Sequence, residues 1–355
     1  MALKMELIEL KTELQSRGAH SGALAGREGG AGPADGVTIF LGDLVVTVPT
    51  RAPYTARSPY SIEEDGGRWL LRKDGNELLE VELTSEPGFY NRSTPEGVSF
   101  KKIALRHGRD AIGTTVFQSC CHGIEACSFC SIDSSAASGT TTKEKRPADL
   151  ARVSAAAAQE GYRHAVLTTG TMATPDRGIA RLAECAEALR KASQMQVHVQ
   201  FEPPRDISWI SEAGRCAETC AINIESFDEV VRREVARGKA RTSTAAYIEA
   251  WKVAVDVFGP GQVTSFIIVG LGESDSSVEE GAALLASLGV YPFLLPLRPL
   301  VGTRLEKTQP PRAARMLRLY EVCAGIVAEA GLDAASCSAG CVRCAACSAF
   351  PDMTG

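Results

Sequence analysis

Residues 263–297 read VTSFIIVGLGESDSSVEEGAALLASLGVYPFLLPL, and this stretch decides the fold class. Val263–Val269 is a mainly apolar, β-branched run of strand length. A glycine and polar loop follows, then a longer amphipathic stretch over Ser277–Leu288, and a second apolar run over Pro292–Leu297 closes the unit. Strand, loop, helix and strand in this order make a βαβ unit, whose two strands lie parallel in one sheet.

The same alternation runs backward from this unit to Thr114. The other strand candidates are Thr115–Ser119, His164–Thr168, Gln196–Phe201 and Cys220–Ile224, with helical stretches at Ala148–Gln159, Ile179–Ala192 and Tyr247–Val257. Six such repeats in one parallel sheet predict an α/β chain with a (βα)6 partial TIM barrel over residues 110–310. In that architecture the loops at the C-terminal ends of the strands line the active face.

Outside the barrel the signals change. Residues 37–109 carry short β-type runs such as Thr38–Val48 and Trp69–Leu71, parted by Pro, Gly and Asn turns, and predict a small, mainly β N-terminal module. Residues 1–36 read as one helix with Leu3, Leu7, Leu10 and Leu14 at helical spacing, followed by a Gly- and Ala-rich linker from Gly18 to Gly36. Residues 311–355 give a last helix at about Pro311–Ala330 and a cysteine-rich tail.

The chain has 355 residues, 45% hydrophobic and 23% charged, with a formal net charge of -5, which argues against a binder of phosphate backbones. The opening helix is interrupted by Lys4, Glu6, Glu9, Lys11 and Glu13 and does not make a signal peptide, and no run approaches membrane-spanning length. The expectation is a cytoplasmic protein without membrane or nucleic-acid partners. In that reducing setting the twelve cysteines are metal ligands or small core residues rather than disulfides.

Seven of them fall in two tight groups, counting one of the adjacent pair Cys120 and Cys121. The first group follows the first barrel strand in Gln118-Ser119-Cys120-Cys121-His122-Gly123-Ile124-Glu125-Ala126-Cys127-Ser128-Phe129-Cys130. Thiolates that converge on one iron-sulfur cube come from a short loop with a Cys-x2-Cys step, which Cys127 and Cys130 supply. Zinc also accepts such a pair, so the spacing alone leaves both metals open.

Cys127-Ser128-Phe129-Cys130, with its aromatic residue before the last cysteine, resembles the end of the Cys-x3-Cys-x2-Cys loop of the radical S-adenosylmethionine (SAM) superfamily. The resemblance implies a three-cysteine [4Fe-4S] cluster that chelates SAM and cleaves it reductively to a 5'-deoxyadenosyl radical. The loop departs from the usual spacing, being Cys-x5-Cys-x2-Cys from Cys121 or Cys-x6-Cys-x2-Cys from Cys120. The strand-end position favours Cys120, and both stay candidates.

Further strand ends carry the same resemblance in order. Leu167-Thr168-Thr169-Gly170-Thr171 stands where the superfamily has a Gly-Gly-Glu-like turn for the SAM amino group. Asn223-Ile224-Glu225-Ser226 stands where polar side chains meet the ribose and methionyl groups, and Glu202-Pro203-Pro204 ends the third strand, with Glu202 a SAM or substrate contact. Phe266-Ile267-Ile268-Val269-Gly270-Leu271-Gly272-Glu273 is similar to the adenine element, with Ile268 on the ring and Gly270 admitting the backbone. Leu297-Arg298-Pro299 resembles the sixth-strand region of biotin synthase, and Arg241 looks like the arginine that grips the SAM carboxylate, with Lys239 as the second choice. Taken singly, each has a plainer reading as a tight βα turn or a structural ion pair. Phe129, Thr168, Thr169, Gly170, Glu202, Asn223, Glu225, Arg241, Ile268, Gly270, Leu297 and Arg298 are therefore the expected cofactor contacts.

Within the superfamily, Leu167–Thr171, Thr174-Pro175-Asp176-Arg177-Gly178, Glu202-Pro203-Pro204 and Gly261-Gln262-Val263 resemble a little-characterised bacterial group. Genes of that group accompany a nitrilase, an acetyltransferase-like protein and a flavin oxidoreductase. This implies a biosynthetic step on a small molecule, with an electron donor such as flavodoxin or ferredoxin.

The second group is Cys337-Ser338-Ala339-Gly340-Cys341-Val342-Arg343-Cys344-Ala345-Ala346-Cys347. Four thiols among Ala, Ser and Gly have no apolar face to bury and ask for a metal. An auxiliary iron-sulfur cluster near the barrel mouth is the favoured reading, and a zinc pinning the C-terminus is the other. Cys185, Cys216, Cys220 and Cys323 read as structural, as do His164 and His198, whereas His122 in the first loop is a candidate proton donor or ligand. The rival to the enzyme as a whole is a zinc-stabilised binding or scaffold protein in which both cysteine groups are structural.

Overall fold

The computed structural model describes residues 2–21 and 36–355; apart from its ends, the Gly18–Gly36 linker expectation lies outside the described residues. Helix α1 (Ala2–Arg17) precedes two small antiparallel sheets. Strands β1 (Gly36–Leu41), β2 (Leu44–Pro49) and β6 (Glu82–Leu83) pair in the order β2-β1-β6, and β3 (Tyr60–Asp65), β4 (Arg68–Lys73) and β5 (Asn76–Glu80) pair in the order β3-β4-β5. The buried face of α1 is Ile8, Lys11, Thr12, Leu14 and Gln15, while Leu3 of the leucine stripe is exposed.

The barrel is a seven-stranded sheet with β7 (Leu105–His107), β8 (Ala111–Thr115), β9 (His164–Thr168), β10 (Gln196–Gln200), β11 (Thr219–Ala221), β12 (Val263–Val269) and β13 (Val290–Pro296) in sequence order. The last six are mutually parallel, and β7 is an antiparallel edge joined to β8 by a hairpin. This is the six-stranded half-barrel expected from the sequence. Helices α3 (Pro147–Gln159), α4 (Ile179–Ser193), α5 (Trp209–Cys216), α7 (Thr244–Phe258) and α8 (Asp275–Ser287) fill the crossovers, with α2 (Ile132–Ala137) and α6 (Glu229–Val235) as short additions. Helix α9 (Ala313–Glu329) packs against α8, α1 and β13, and α10 (Gly340–Cys344) and α11 (Phe350–Met353) end the chain.

Two strand expectations shift. The first barrel strand is Ala111–Thr115 rather than Thr115–Ser119, because the hairpin with β7 fixes its register through Gly113, a residue whose lack of a side chain admits the His107 ring. The fourth is Thr219–Ala221 rather than Cys220–Ile224. Beyond Ile222, whose N–H still donates to Thr264 O at 3.0 Å, side chains replace ladder partners: Ile224 N–H donates to Ser265 Oγ at 3.1 Å and Phe266 N–H to Asn223 Oδ1 at 3.0 Å. The pairing resumes only at the single bridge Glu225–Ile267.

One face of the strands is apolar, as helices packed on a sheet require: Ala165, Leu167, Val197, Val199, Ile267 and Val269 are all buried in one continuous core, while the alternate positions of β9 and β10 carry His164, Thr168, His198 and Gln200. No helix among the described residues is long and apolar enough to cross a membrane.

Candidate active site

The cysteine loop leaves the end of β8 and is held by backbone and side-chain bonds from three sides. Cys121 N–H donates to Thr171 O at 2.8 Å, and Ser128 N–H to Val235 O at the end of α6 at 2.6 Å. Arg304, from the segment after β13, donates to Ile124 O at 2.8 Å, to Ser128 Oγ at 3.2 Å and also to Ala126 O. Glycines let the chain close in: a Cβ on Gly170 would stand 1.9 Å from Ser119 O, and one on Gly238 would stand 2.3 Å from the His122 ring. Gly170 thus carries the close approach of the β9 loop to the base of the cysteine loop.

A cavity of about 490 Å³ opens inside the barrel. Cys120, Cys127 and Cys130 line it with Phe129, Thr168, Thr169, Gly170, Glu202, Asn223, Glu225, Ile268, Leu297 and Arg298. Cys121, Arg241 and Gly270 do not line it. Cys121 is exposed, with Arg177 Nη1 4.0 Å from its sulfur. Arg241 is exposed and pairs with Glu125 of the cysteine loop. Gly270 serves the turn after β12, where Glu273 accepts from Gly270 N–H and Leu271 N–H at 2.8 Å each and is bridged to Arg315 at 2.9 Å.

One buried ion pair and one buried His–carboxylate hydrogen bond stand at the upper wall. Lys239 Nζ donates to Glu225 Oε1 at 2.6 Å and to Asn223 O at 2.8 Å. Burial alone would lower the Lys239 pKa, yet the Glu225 charge and the other anionic groups around it raise it well above its ordinary value. Glu225 has φ +70°, in the left-handed region that a non-glycine residue occupies at a cost, and its Oε2 is buried without a partner among the described residues. The second pair is His122 Nε2, 3.1 Å from both carboxylate oxygens of Glu202. Burial pushes Glu202 upward, but the His122 hydrogen bond and the charge of Lys239 hold its carboxyl below the usual value.

The chemistry of the donor set suits a cationic group. Burial raises the Cys130 thiol to about 11 and the Cys127 thiol further, so a bound cation must offset desolvation for both to ligate as thiolates. Among the described residues no three His, Cys, Asp or Glu side chains already stand at single-ion spacing. The site is therefore defined by the cavity its sulfurs share. Glu225 Oε2, on the same cavity wall, is a buried acceptor without a hydrogen-bond partner among the described residues.

The cysteine tail lies at the opposite end of the strands, not at the mouth as expected. Arg343 Nη1 donates to Gln196 Oε1 at the start of β10 at 3.1 Å, Arg343 Nη2 lies 3.1 Å from Asp110 before β8, and Gly340 N–H donates to His164 Nδ1 at the start of β9 at 3.3 Å. A Cβ on Gly340 would meet the His198 ring at 2.4 Å. The barrel floor is thus built on buried His164 and His198, and Cys341 and Cys347 close the lower end of the same cavity.

Sequence reasoning missed Arg304, the Glu202 partner of His122, and the cavity-lining Gln200, which accepts from Asn223 Nδ2 at 3.4 Å and donates to Cys341 Sγ at 3.4 Å. Arg304 gave no signal, since its targets are carbonyls about 180 residues upstream in the chain. The inward alternation of β10 could have flagged Gln200.

Comparison with known proteins matches residues 115–285 to the Radical SAM superfamily. The bacteriochlorophyllide c C-7(1)-hydroxylase of Chlorobaculum limnaeum is 28% identical over 186 residues, covering 48% of this chain and 45% of that protein. The chain therefore matches less than half the length of that curated relative. Among solved structures, a radical SAM methyltransferase from Sphaerobacter thermophilus is similar at 18% identity and a TM-score of 0.49, over 78% of this chain and 76% of that one. The FeFe-hydrogenase maturase of Carboxydothermus hydrogenoformans is similar at 16% identity and a TM-score of 0.46, over 61% and 51%. The matched residues 115–285 run from the end of β8 into α8 and include the cysteine loop, and this part of the chain is a radical SAM domain.

Proposed function

We propose that this chain is a radical SAM enzyme that acts on a small molecule in a biosynthetic step, with Cys120, Cys127 and Cys130 holding the [4Fe-4S] cluster and the tail cysteines holding a second iron-sulfur cluster. When bound, the first cluster delivers an electron from a donor such as flavodoxin or ferredoxin that cleaves SAM to methionine and a 5'-deoxyadenosyl radical. The single observation that supports the reading is the shared cavity: these three cysteines line it with the strand-end residues, whereas the adjacent Cys121 does not.

The chain's own residues then divide the work. Glu225 offers its unpartnered Oε2 to the ribose hydroxyls, and Thr168, Thr169 and Gly170 present backbone groups to the methionyl amine. Lys239, rather than the outward-turned Arg241, brings a cation to the upper cavity wall, where the SAM carboxylate would meet it. Ile268 and Leu297 give apolar contact for adenine, and the enclosing barrel keeps water from the reacting centre. Phe129 packs against Val231, Val235 and Ala236, which fixes the Cys127–Cys130 step against α6.

A cytoplasmic setting belongs to the same reading, since all twelve cysteines are free. Anaerobic reconstitution with iron and sulfide, followed by visible absorption, EPR and detection of 5'-deoxyadenosine, tests it. A colourless protein that retains stoichiometric zinc and yields no 5'-deoxyadenosine refutes it.

A further inference from the structure

Six side chains circle the inside of the half-barrel, one from each parallel strand or the residues just past it: Thr115, Thr168, Gln200, Asn223, Phe266 and Phe293, all lining the cavity. Each is joined to the next. Thr115 and Thr168 are register partners across β8 and β9 with their hydroxyls 2.8 Å apart, and Gln200 pairs in register with Thr168 from β10. Asn223 Nδ2 donates to Gln200 Oε1 at 3.4 Å, and Asn223 Oδ1 accepts from Phe266 N–H at 3.0 Å. Phe266 and Phe293 are register partners whose ring centroids lie 5.2 Å apart at 35°. Register partners in a sheet share a face, so these side chains form one layer.

The layer has two unlike sides. From β8 to β11 it offers hydroxyls and carboxamides, and on β12 and β13 it offers aromatic rings. No member carries a formal charge. The charged groups of the upper wall come later along the same strands, Glu202 two residues past Gln200 and Glu225 two past Asn223, and both are engaged by His122 and Lys239. Thr169 and Gly170 follow Thr168 directly, and Ile268 and Leu295 stand two residues above the rings, roughly 7 Å along the strand. The layer therefore lies immediately below the place assigned above to SAM.

We infer that this layer is the substrate seat and that it selects an uncharged planar ring with an amide-like edge, the ring against Phe266 and Phe293 and the edge on Thr115, Thr168 and Gln200. The inference rests on the reading of the chain as a radical SAM enzyme and names the class of its small molecule. Aromatic side chains favour a flat partner in stacked or edge contact beyond the area buried. Gln200 Nε2 is held by His198 Nε2 at 3.3 Å and Cys341 Sγ at 3.4 Å, which fixes the carboxamide and leaves Oε1 a second lone pair for a ligand donor. The threonine hydroxyls both donate and accept. Asn223 is a positioning residue that ties this carboxamide to the Phe266 backbone. A carboxylate or ammonium set here would lose its water without meeting an opposite charge in the layer, whereas an amide finds donors and acceptors.

The test uses the full chain, reconstituted anaerobically and saturated with SAM, in equilibrium dialysis against benzamide, benzoate and cyclohexanecarboxamide. Benzamide is expected to bind with a dissociation constant of roughly 1 mM, in keeping with its few atoms. Benzoate, the same shape with a charge, should bind at least about ten-fold more weakly. Cyclohexanecarboxamide, the same amide on a puckered ring, should bind roughly two- to ten-fold more weakly. Phe266→Leu should erase the preference for the flat ring, and Gln200→Met should weaken benzamide while keeping that preference, each variant being checked for a wild-type unfolding midpoint. In the wild type, benzoate as tight as benzamide, no preference for the flat ring, or no uptake of benzamide overturns the inference whether or not the variants fold. A chain that makes no 5'-deoxyadenosine yet ranks the probes as expected refutes the enzyme reading and supports the layer as a binding site. One that makes 5'-deoxyadenosine and ranks them otherwise refutes the seat alone.

Discussion

Replacing Lys239 by Met removes the ammonium that stands 2.6 Å from Glu225 Oε1 and 2.8 Å from Asn223 O. Both side chains of the pair are 10% exposed, so the stranded carboxylate cannot be rescued by bulk water without rearrangement. Glu225 Oε2 already lacks a partner, so the substitution would leave Oε1 short of one as well. Removing one member of a buried pair costs about 3–5 kcal/mol, while Met keeps most of the apolar stem and adds little packing loss. The double variant Lys239→Met/Glu225→Gln removes both charges and should recover about 2–3 kcal/mol of the deficit, read as the coupling energy of a double-mutant cycle.

The assay is urea unfolding of the four proteins prepared without iron, so that metal loss does not distort the transition. Lys239 has its pKa raised in the fold, so its contribution is complete below the ordinary value of 10.5 and is lost only as pH rises past the folded value. The deficit of Lys239→Met should therefore stay flat from about pH 6 to about pH 9. A single variant within about 1 kcal/mol of wild type, or a deficit that Glu225→Gln does not relieve, refutes the argument.

Three other outcomes follow from the geometry. Gly170→Ala sets a Cβ 1.9 Å from Ser119 O, a backbone atom that cannot swing aside, so it should cost at least about 1–3 kcal/mol and lower loop-cluster iron on reconstitution, whereas Gly325→Ala, inside helix α9 with no atom near its Cβ, should stabilise by about 0.5–1 kcal/mol and leave the iron unchanged. Arg304→Ala frees the carbonyls of Ile124 and Ala126, and a chelator should then strip loop iron several-fold faster; an unchanged rate counts against the clamp. Cys127→Ala should abolish 5'-deoxyadenosine formation while Cys344→Ala largely preserves it, and equal loss in both would tie SAM cleavage to the tail.

The half-barrel was legible because each βα unit is local. An apolar run such as Val263–Val269 and the amphipathic stretch after it state their periodicity within about thirty residues, and parallel strands then have few ways to be joined. The edges were less so. The start of β8 depends on its hairpin with β7, and the break in β11 depends on Asn223 and Ser265 side chains taking ladder positions, neither of which has a period.

At the site, the sequence by itself determined which residue types gather at the strand ends: the thiols of the loop, Thr168 to Gly170, Glu202, Asn223, Glu225 and Ile268. Only the tertiary structure decided which way each one faces. Cys120 turns inward while Cys121 turns out, because Cys121 N–H is tied to Thr171 O. Lys239 reaches the cavity and Arg241 does not, because the short helical turn that carries both buries the first against Glu225 and leaves the second beside Glu125. The tail went to the floor of the barrel rather than its mouth because its partners, Asp110, His164, Gln196 and Gln262, are scattered through the chain and meet only when six strands begin side by side. Spacing along a chain is a local quantity, and the direction in which a side chain points is settled by contacts far away in sequence.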